Sequence, residues 1–455
     1  MKTKLTLLVI LFFSLFAANA QQNEACMEKL SIFSEAVKVK NYDAAFEPWM
    51  FVRKTCPTLN NAIYAYGERI LKDKIKKSTG VEKTKWANDL IALYKEGIHH
   101  MPAKYKVGKT EAKIGQLMFD EKLGTAHTQF EVLHNAFIKD AKSFQNPKAI
   151  YTYFKLMVGM YDGGGKKFHD LVDLYTVVTD KIDLENKNFS GKVDALLAKE
   201  EAGTISKKDT KRLKSYNTYL FAFDQIAKGV DKELGDRANC DKLVPLFEKN
   251  FEANKGDVAW LRKAASRLAG KNCADAPLFK KLVETFHNLE PSAKTAYYLG
   301  MLSAKKGDTA GAERYYNESA SLHTEGFEKA KVYFKLAVMN KKRGRKGAAR
   351  TYAKKALSAQ PSFGKAYLLI AGMYASSANS CGTTTFDKRA TFWLAANMAE
   401  KAGRVNGALK RAAAKTAANY RAKAPSKQDI FTSGKAGQSV KIGCWIGRSV
   451  KVPAL

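Results

Sequence analysis

The sequence predicts an all-α fold of consecutive helical hairpins, stacked as a solenoid, that ends in a short β-hairpin cap. The first observation is a pattern of large and small residues that recurs at helical spacing between positions 295 and 374. The second is that apolar residues keep a helical rhythm up to Lys423, with no alternation of strands and helices. The third is a change at Ala424-Pro425, after which polar and apolar residues alternate.

The N-terminus is typical of a secretory signal peptide over residues 1–20. Lys2 and Lys4 precede an apolar run at 5–16, and Ala18-Asn19-Ala20 offers a small-x-small cleavage site. The run is too short to cross a bilayer, and no later segment is continuously apolar for ~18 residues. We therefore expect an exported protein with no transmembrane segment after the signal is removed.

Four regions follow the signal peptide in our division of the chain. Residues 21–120 form an N-terminal helical-hairpin region, and residues 121–235 an irregular helical middle region with predicted helices at 128–144, 147–160, 169–181, 193–201 and 207–234. Residues 236–423 form the repeats, and residues 424–455 the tail. In the tail, residues 439–446 and 449–452 predict two strands joined by a turn at Gly447-Arg448. A two-stranded hairpin is marginal alone, so we expect it to pack on the helices as a cap.

Each copy of the recurring pattern describes two helices that cross closely. A large and then a small residue share a face of the first helix, a glycine turn follows, and the second helix offers alanine. Small residues are needed because helix axes ~8–10 Å apart leave no room for larger side chains. The first copy contains Leu299, Gly300, Gly307, Ala312 and Tyr316; the second contains Tyr333, Leu336, Ala337, Gly344, Ala349, Tyr352, Ala356 and Pro361; the third begins with Tyr367, Ile370, Ala371 and Tyr374.

Six cysteines follow the signal peptide, as suits an oxidising compartment. An antiparallel hairpin of two similar helices returns its far end beside its start. Since Cys26 and Cys56 bracket one predicted hairpin and Cys240 and Cys273 another, each pair can form a disulfide. A Cys381–Cys444 bond would then attach the tail to the last repeat. No Cys-x-x-Cys occurs, so metal thiolates are not indicated.

The chain carries a formal net charge of +33. Lysine is spread throughout and is densest at 341–355. Such a charge attracts anionic lipid headgroups, polysaccharides or acidic protein surfaces. Export makes nucleic acid a poor partner, and a simpler interpretation is that the lysines form solvated outer helix faces.

Candidate chemistry is sparse, and we predict no enzymatic activity, cofactor or metal. Glu131 and His134, with His127 one turn earlier, share a helix stripe, but no ligands from other helices are identifiable. Gly163-Gly164-Gly165-Lys166 lacks the preceding strand and the following Ser or Thr of a phosphate loop.

The repeat step, close to the ~34 residues of the tetratricopeptide motif, and the residues at its signature positions resemble that family. Residues 41–49, 56–57 and 64–68, together with 426–431 and 443–446, resemble the two ends of exported tetratricopeptide-type proteins of Bacteroidetes. The resemblance implies a non-catalytic cell-envelope scaffold, located in the periplasm or on the periplasmic face of the outer membrane. Asp308-Thr309-Ala310 also resembles the O-glycosylation acceptor of these bacteria, with Thr309 as the modified residue.

We therefore predict a protein-binding scaffold or assembly subunit with a basic concave groove lined by first-helix residues. The partner would be an envelope protein, in an outer-membrane assembly. The alternative is direct binding of anionic envelope glycan or lipid headgroups. The predicted groove residues are Tyr298, Ser303, Lys331, Lys335, Asn340, Lys365 and Leu369.

Overall fold

A computed structural model describes residues 23–455 of the chain. The described residues are mainly helical and form two compact units, residues 23–174 and Tyr175–Leu455. The predicted signal peptide lies outside the described residues, and so does its predicted cleavage site.

The first unit contains seven described helices and the start of an eighth. They are α1 (residues 23–38), α2 (Tyr42–Thr55), α3 (Ala62–Lys77), α4 (Gly80–His100), α5 (Val107–Asp120), α6 (Ala126–Asp140), α7 (Pro147–Asp162) and α8 (Phe168–Glu201), which continues into the second unit. From α2 to α7 each helix packs against the next. Because each of these helices packs against its neighbour in the sequence, the helices bury the core of this unit between them.

Close packing in the first unit centres on Trp49, which is fully buried. Its indole Nε1 donates a hydrogen bond to the carbonyl oxygen of Ile63 over 2.7 Å. Gly67 lies against the ring, because a Cβ at that position would be 2.6 Å from the indole. A small residue at this crossing lets α2 and α3 approach, which is the same device that the repeats use.

The second unit contains the remaining helices and both strands. They are α9 (Lys207–Leu234), α10 (Cys240–Asn254), α11 (Val258–Gly270), α12 (Pro277–Leu289), α13 (Ala293–Lys305), α14 (Thr309–Leu322), α15 (Gly326–Lys342), α16 (Lys346–Ala359), α17 (Gly364–Ala375), α18 (Ala378–Cys381), α19 (Thr385–Val405), α20 (Lys410–Lys423), α21 (Lys427–Ser433), β1 (Ser439–Ile442) and β2 (Arg448–Lys451). From α10 to α17 each helix packs against the next, and α17 packs against α19.

The recurring pattern corresponds to the hairpins α13–α14 and α15–α16 and to the start of a third. Gly300 lies under Tyr316, where a Cβ would be 2.7 Å from the ring. Ala337 and Ala349 are fully buried in the second hairpin. The predicted all-α, tetratricopeptide-like arrangement with a C-terminal β-hairpin is therefore confirmed.

The three disulfides have the pairing that the hairpin order predicts. They join Cys26 to Cys56, Cys240 to Cys273 and Cys381 to Cys444, with Cα atoms 6.4, 5.4 and 5.3 Å apart. The third attaches the β-hairpin to α18. Val440, Ile442 and Val450 of the β-hairpin are buried in one cluster with residues of α17 and α19.

Two element predictions were wrong. The predicted helices at 169–181 and 193–201 are one continuous helix, α8, because the segment between them contains no proline to end it. The first strand ends at Ile442 rather than at position 446, because Cys444 adopts φ 43° and the chain turns at 443–447. Among the described residues, no helix is both long enough and apolar enough to cross a membrane.

Candidate binding cavity in the second unit

One face of α8 carries a stripe of polar residues that contacts the helical hairpins. The stripe consists of Thr176, Asp180, Asp183, Lys187, Ser190 and Asp194, which recur every three or four positions and therefore share a face. Near its start, Arg267 Nε of α11 donates a hydrogen bond to Thr176 Oγ1 over 2.6 Å. Further along, Lys187 forms an ion pair with Glu325 at 3.0 Å. The long helix thus reaches from α11 to the start of α15.

Asp194 ends the stripe and contacts the loop between α16 and α17. The backbone N–H of Ser362 donates to Asp194 Oδ1 over 2.6 Å, and the Gln360 side-chain amide donates to Oδ2. Burial raises the pKa of the Asp194 carboxyl to about 6, although the hydrogen bonds from Ser362 act in the opposite direction. The contact therefore holds a partly desolvated carboxylate.

The opposite face of α8 packs on α9. Phe189 stacks on Tyr219 with ring centroids 4.6 Å apart, and Phe223 lies 5.9 Å from Phe189. Lys181 and Glu185 form a buried ion pair of 2.6 Å on α8 itself. With one face on α9, α8 presents its other face to the hairpins and occupies part of the predicted groove.

The predicted groove residue Tyr298 is buried rather than exposed, at 3% of its accessible surface. Its ring lies 5.8 Å from that of Phe279, edge to face. Its hydroxyl hydrogen-bonds with Ser266, and burial raises the pKa of the phenol. Tyr298 can therefore form a cavity wall, but it is not a projecting contact.

Two other predicted groove residues take part in packing. Asn340 is fully buried, and its Nδ2 donates to the Leu336 carbonyl over 3.0 Å, so its assignment to the groove was wrong. The cause is its position on the side of α15 that faces the core. Leu369 is half-buried and packs against the apolar cluster of the last hairpins. Ser303 is half-buried near the end of α13.

A cavity of about 680 Å³ remains between α8 and the hairpins. Its walls come from α8, α11, α13 and α15, and from the loops that join neighbouring helices. The lining includes three of the predicted residues, Tyr298, Lys331 and Lys335, and residues that we did not predict, notably Asp180, Asp183, Leu184, Lys294, Tyr297, Met301, Glu328 and Val332. This is a size that accommodates a short peptide segment or a small molecule.

The lysines of this cavity are in different electrostatic states. Lys331 forms ion pairs with Asp183 at 3.5 Å and Glu328 at 3.3 Å. Desolvation lowers the pKa of Lys331, but the two carboxylates outweigh it and the net displacement is upward. Lys294 and Lys335 have no carboxylate within ion-pair distance in the described part of the chain. Desolvation lowers the pKa of each, and neighbouring lysines reinforce the effect at Lys335.

The cavity is less basic than the sequence predicts. Its lining carries four lysines, Lys187, Lys294, Lys331 and Lys335, against the carboxylates Asp180, Asp183 and Glu328. Burial raises the pKa of Asp180 and lowers that of His323, which also lies in the lining. The site is consequently a mixed-charge cavity with two unpaired lysines rather than a uniformly basic groove.

The predicted groove residue Lys365 lines a second and smaller cavity. This cavity has a volume of about 200 Å³, and Phe327 and Phe363 contribute its aromatic wall. Lys331 and Asp183 line both cavities. All three lysines thus lie near α8: Lys335 lines the larger cavity, Lys365 lines the smaller one, and Lys331 lines both.

Residues that we considered for chemistry make ordinary structural contacts. His134 Nδ1 lies 2.6 Å from the Tyr153 hydroxyl, and its ring stacks on Phe130. Across residues 23–455, no three His, Cys, Asp or Glu side chains converge as a metal site. Thr309 is half-buried at the first position of α14, after Asp308, which caps that helix by accepting from the Gly311 N–H over 2.8 Å.

Sequence comparisons identify no relative, since no protein-family model matches the chain and no curated protein is similar to it. Among solved structures, the human IFIT1 dimer with PPP-AAAA is 13% identical over 88% of this chain and 91% of that one, with a TM-score of 0.29. The Cut9-Hcn1 hetero-tetramer of APC/C is 10% identical over 85% and 95%, with a TM-score of 0.31. Yeast Tom70 is 10% identical over 90% and 83%, with a TM-score of 0.27. At such low scores these likenesses carry no argument, so the fold assignment rests on the helix packing described above.

Proposed function

We propose that this chain is a non-catalytic protein-binding scaffold of the cell envelope and that a partner segment binds in the 680 Å³ cavity. The observation that carries the proposal is the combination of an apolar wall with unpaired lysines in one cavity. Tyr297, Met301 and Val332 provide apolar and aromatic surface, and Lys294 and Lys335 provide charge. Binding sites typically combine such a wall with a few polar groups that fix orientation.

The state of the two lysines indicates the chemistry of the partner. Each is partly desolvated and forms no ion pair among the described residues. Asp180 and Glu328 raise the pKa of Lys294, but desolvation outweighs them, so the charged form of each lysine is under-stabilised. An incoming carboxylate would accept a charge-assisted hydrogen bond from each ammonium group. We therefore propose a partner segment that carries acidic residues beside an apolar or aromatic one.

The envelope location rests on the sequence. Residues 1–20 have the charged, apolar and small-residue regions of a secretory signal. All six cysteines are paired in disulfides, which persist in oxidising compartments. Both observations support an exported scaffold in the periplasm or on the periplasmic face of the outer membrane.

The test is in-cell cross-linking of the full-length chain, followed by purification and quantitative mass spectrometry. The double variant Lys294→Gln with Lys335→Gln should lose at least ten-fold in recovery of a stoichiometric protein partner, because it removes both ammonium groups that would pair with the acidic segment. Glutamate is avoided because Asp180 and Glu328 act electrostatically on position 294. Lys331 is left unchanged, since its removal would leave Asp183 and Glu328 without their ion pairs and would lower stability.

A matched control carries the same charge change outside the cavity. Lys249 and Lys306 are exposed and have no ion pair in the described structure, so Lys249→Gln with Lys306→Gln should retain the partner. Equal recovery by the cavity variant would show that the partner does not bind there. Equal loss in both variants would assign binding to overall charge instead.

A further inference from the structure

The first unit contains its own cavity, of about 410 Å³, and its lining is more cationic than that of the 680 Å³ cavity in the second unit. It lies among the first turns of α3, the loop between α4 and α5, and α5. Its lining includes four cationic side chains, Arg69, Lys104, Lys109 and Lys113, and the single carboxylate Glu68. A small space with this excess of positive charge attracts anions.

The carboxylate offsets only one of these four cations, Lys113, and also pairs with Lys72, which lies outside the lining, so Arg69, Lys104 and Lys109 keep the excess of positive charge. Lys72 Nζ and Lys113 Nζ each lie 2.7 Å from a Glu68 oxygen. Burial raises the pKa of Glu68, but the two lysines outweigh that effect and the net displacement is downward. Across the described residues, no carboxylate lies within ion-pair distance of Lys104 or Lys109. Their charges are available to a ligand.

Tyr105 contributes a fixed phenol to the same cavity. Its ring lies edge to face with Tyr64 at 5.5 Å and packs over Gly97, where a Cβ would be 2.9 Å away. Burial raises the pKa of Tyr105 to about 12, so its hydroxyl remains protonated near neutral pH. The position of this group is therefore set before a ligand arrives.

Asn61 contributes an uncommitted amide. It precedes α3, but its side chain makes no capping hydrogen bond to that helix. Asn60 Oδ1 instead accepts from the Ala62 N–H over 2.8 Å. In the described structure the Asn61 side-chain oxygen is buried and has no hydrogen-bond donor. An amide can both donate to and accept from a hydroxyl group.

From these groups we infer that the first unit binds an acidic sugar, a uronic-acid residue of an anionic glycan. The carboxylate of the sugar would pair with Lys104 and Lys109, and its ring hydroxyls would meet the Asn61 amide and the Tyr105 phenol. A simple inorganic anion would use only the lysines. The cavity volume falls within the usual range for small-ligand sites. This inference concerns only the first unit and does not depend on the proposed role of the second.

The test is isothermal titration calorimetry of the full-length chain with three probes: a trimer of galacturonic acid, a neutral galactose trimer and inorganic phosphate. We expect the acidic trimer to bind and the neutral trimer to bind at least ten-fold more weakly. The double variant Lys104→Gln with Lys109→Gln should weaken acidic-trimer binding at least ten-fold. Asn61→Ala should weaken binding of the acidic trimer and leave phosphate binding unchanged.

The control is Lys76→Gln with Lys95→Gln, which removes the same charge from exposed positions of the first unit outside the cavity. Binding that weakens equally in this control would overturn the assignment of the site. Absence of binding by the acidic trimer would overturn the inference itself. Phosphate that binds as tightly as the trimer would show an oxyanion site without sugar recognition, which also contradicts it.

Discussion

Replacing Asp194 by asparagine would measure how much the half-buried carboxylate at the end of the polar stripe lowers the free energy of unfolding. In the folded chain burial raises the pKa of this carboxyl to about 6, whereas an unfolded aspartate titrates near ~3.9. Between these values the folded state binds more protons than the unfolded state. The free energy of unfolding therefore falls as pH rises through this window, and the loss is complete above the folded pKa.

The expected magnitude follows from that difference in pKa. A displacement of about two units corresponds to ~3 kcal/mol for full burial. Asp194 is only half-buried, so we take about half of this, ~1.5 kcal/mol, to allow for solvent screening. Asparagine carries no charge and keeps an oxygen that can accept from the Ser362 N–H. Its Nδ2 takes the place of the oxygen that accepted from Gln360, so the Gln360 side-chain amide must turn over to present its own oxygen. The variant should be about 1.5 kcal/mol more stable than the wild type near pH 7.5 and similar to it near pH 4.

Urea denaturation at several pH values between these limits provides the measurement. Asp236→Asn is the control, because Asp236 is exposed between α9 and α10 and makes no side-chain hydrogen bond or ion pair in the described structure. Its pH dependence should match that of the wild type. The reasoning about Asp194 fails if its asparagine variant keeps the wild-type pH dependence, or if it is less stable near pH 7.5.

Two further predictions concern stability. Gly67→Ala should destabilise the chain by ~1–3 kcal/mol, because its methyl group would lie 2.6 Å from the buried Trp49 ring. Gly256→Ala is the control and should not show this loss, because open space surrounds Gly256. Equal unfolding free energies of the two variants in urea would contradict this contrast. Replacing Cys381 and Cys444 together by alanine should lower the free energy of unfolding by ~2–4 kcal/mol, because the unfolded chain regains the entropy that the cross-link removes. An unchanged free energy of unfolding in urea would show that the bond is not formed.

The sequence was sufficient to predict the features that depend on local geometry. Gly300 and Ala337 had to be small because two helices cross there, and this requirement is visible in a single sequence. The disulfides were predictable because a hairpin returns its far end beside its start, so residues such as Cys240 and Cys273 meet. Both inferences use neighbours in sequence, and sequential packing is what a helical-repeat fold provides.

The candidate site was less predictable because it depends on contacts between distant parts of the chain. The stripe from Thr176 to Asp194 is polar, so it leaves no apolar signal on the face that contacts the hairpins. Its three- and four-residue spacing is present in the sequence, but the predicted helices at 169–181 and 193–201 divide a segment that the structure shows as one helix. Asn340 was misplaced for a related reason: position in a helix does not by itself show which polar residue faces the core.

The distribution of charge separates the two proposed sites. The net charge of +33 favours a basic groove in the repeats, yet three carboxylates offset the four lysines of the cavity there. In the first unit, the cavity has four cations and one carboxylate, Glu68, which pairs with Lys113 of the lining and with Lys72, so three cations keep the excess of positive charge. Specific recognition of a protein segment therefore fits the 680 Å³ cavity of the second unit, where apolar contacts supplement two lysines. Recognition of an anion fits the 410 Å³ cavity of the first unit. The affinity of that cavity for its ligand should fall more steeply with salt, because charge supplies most of the attraction.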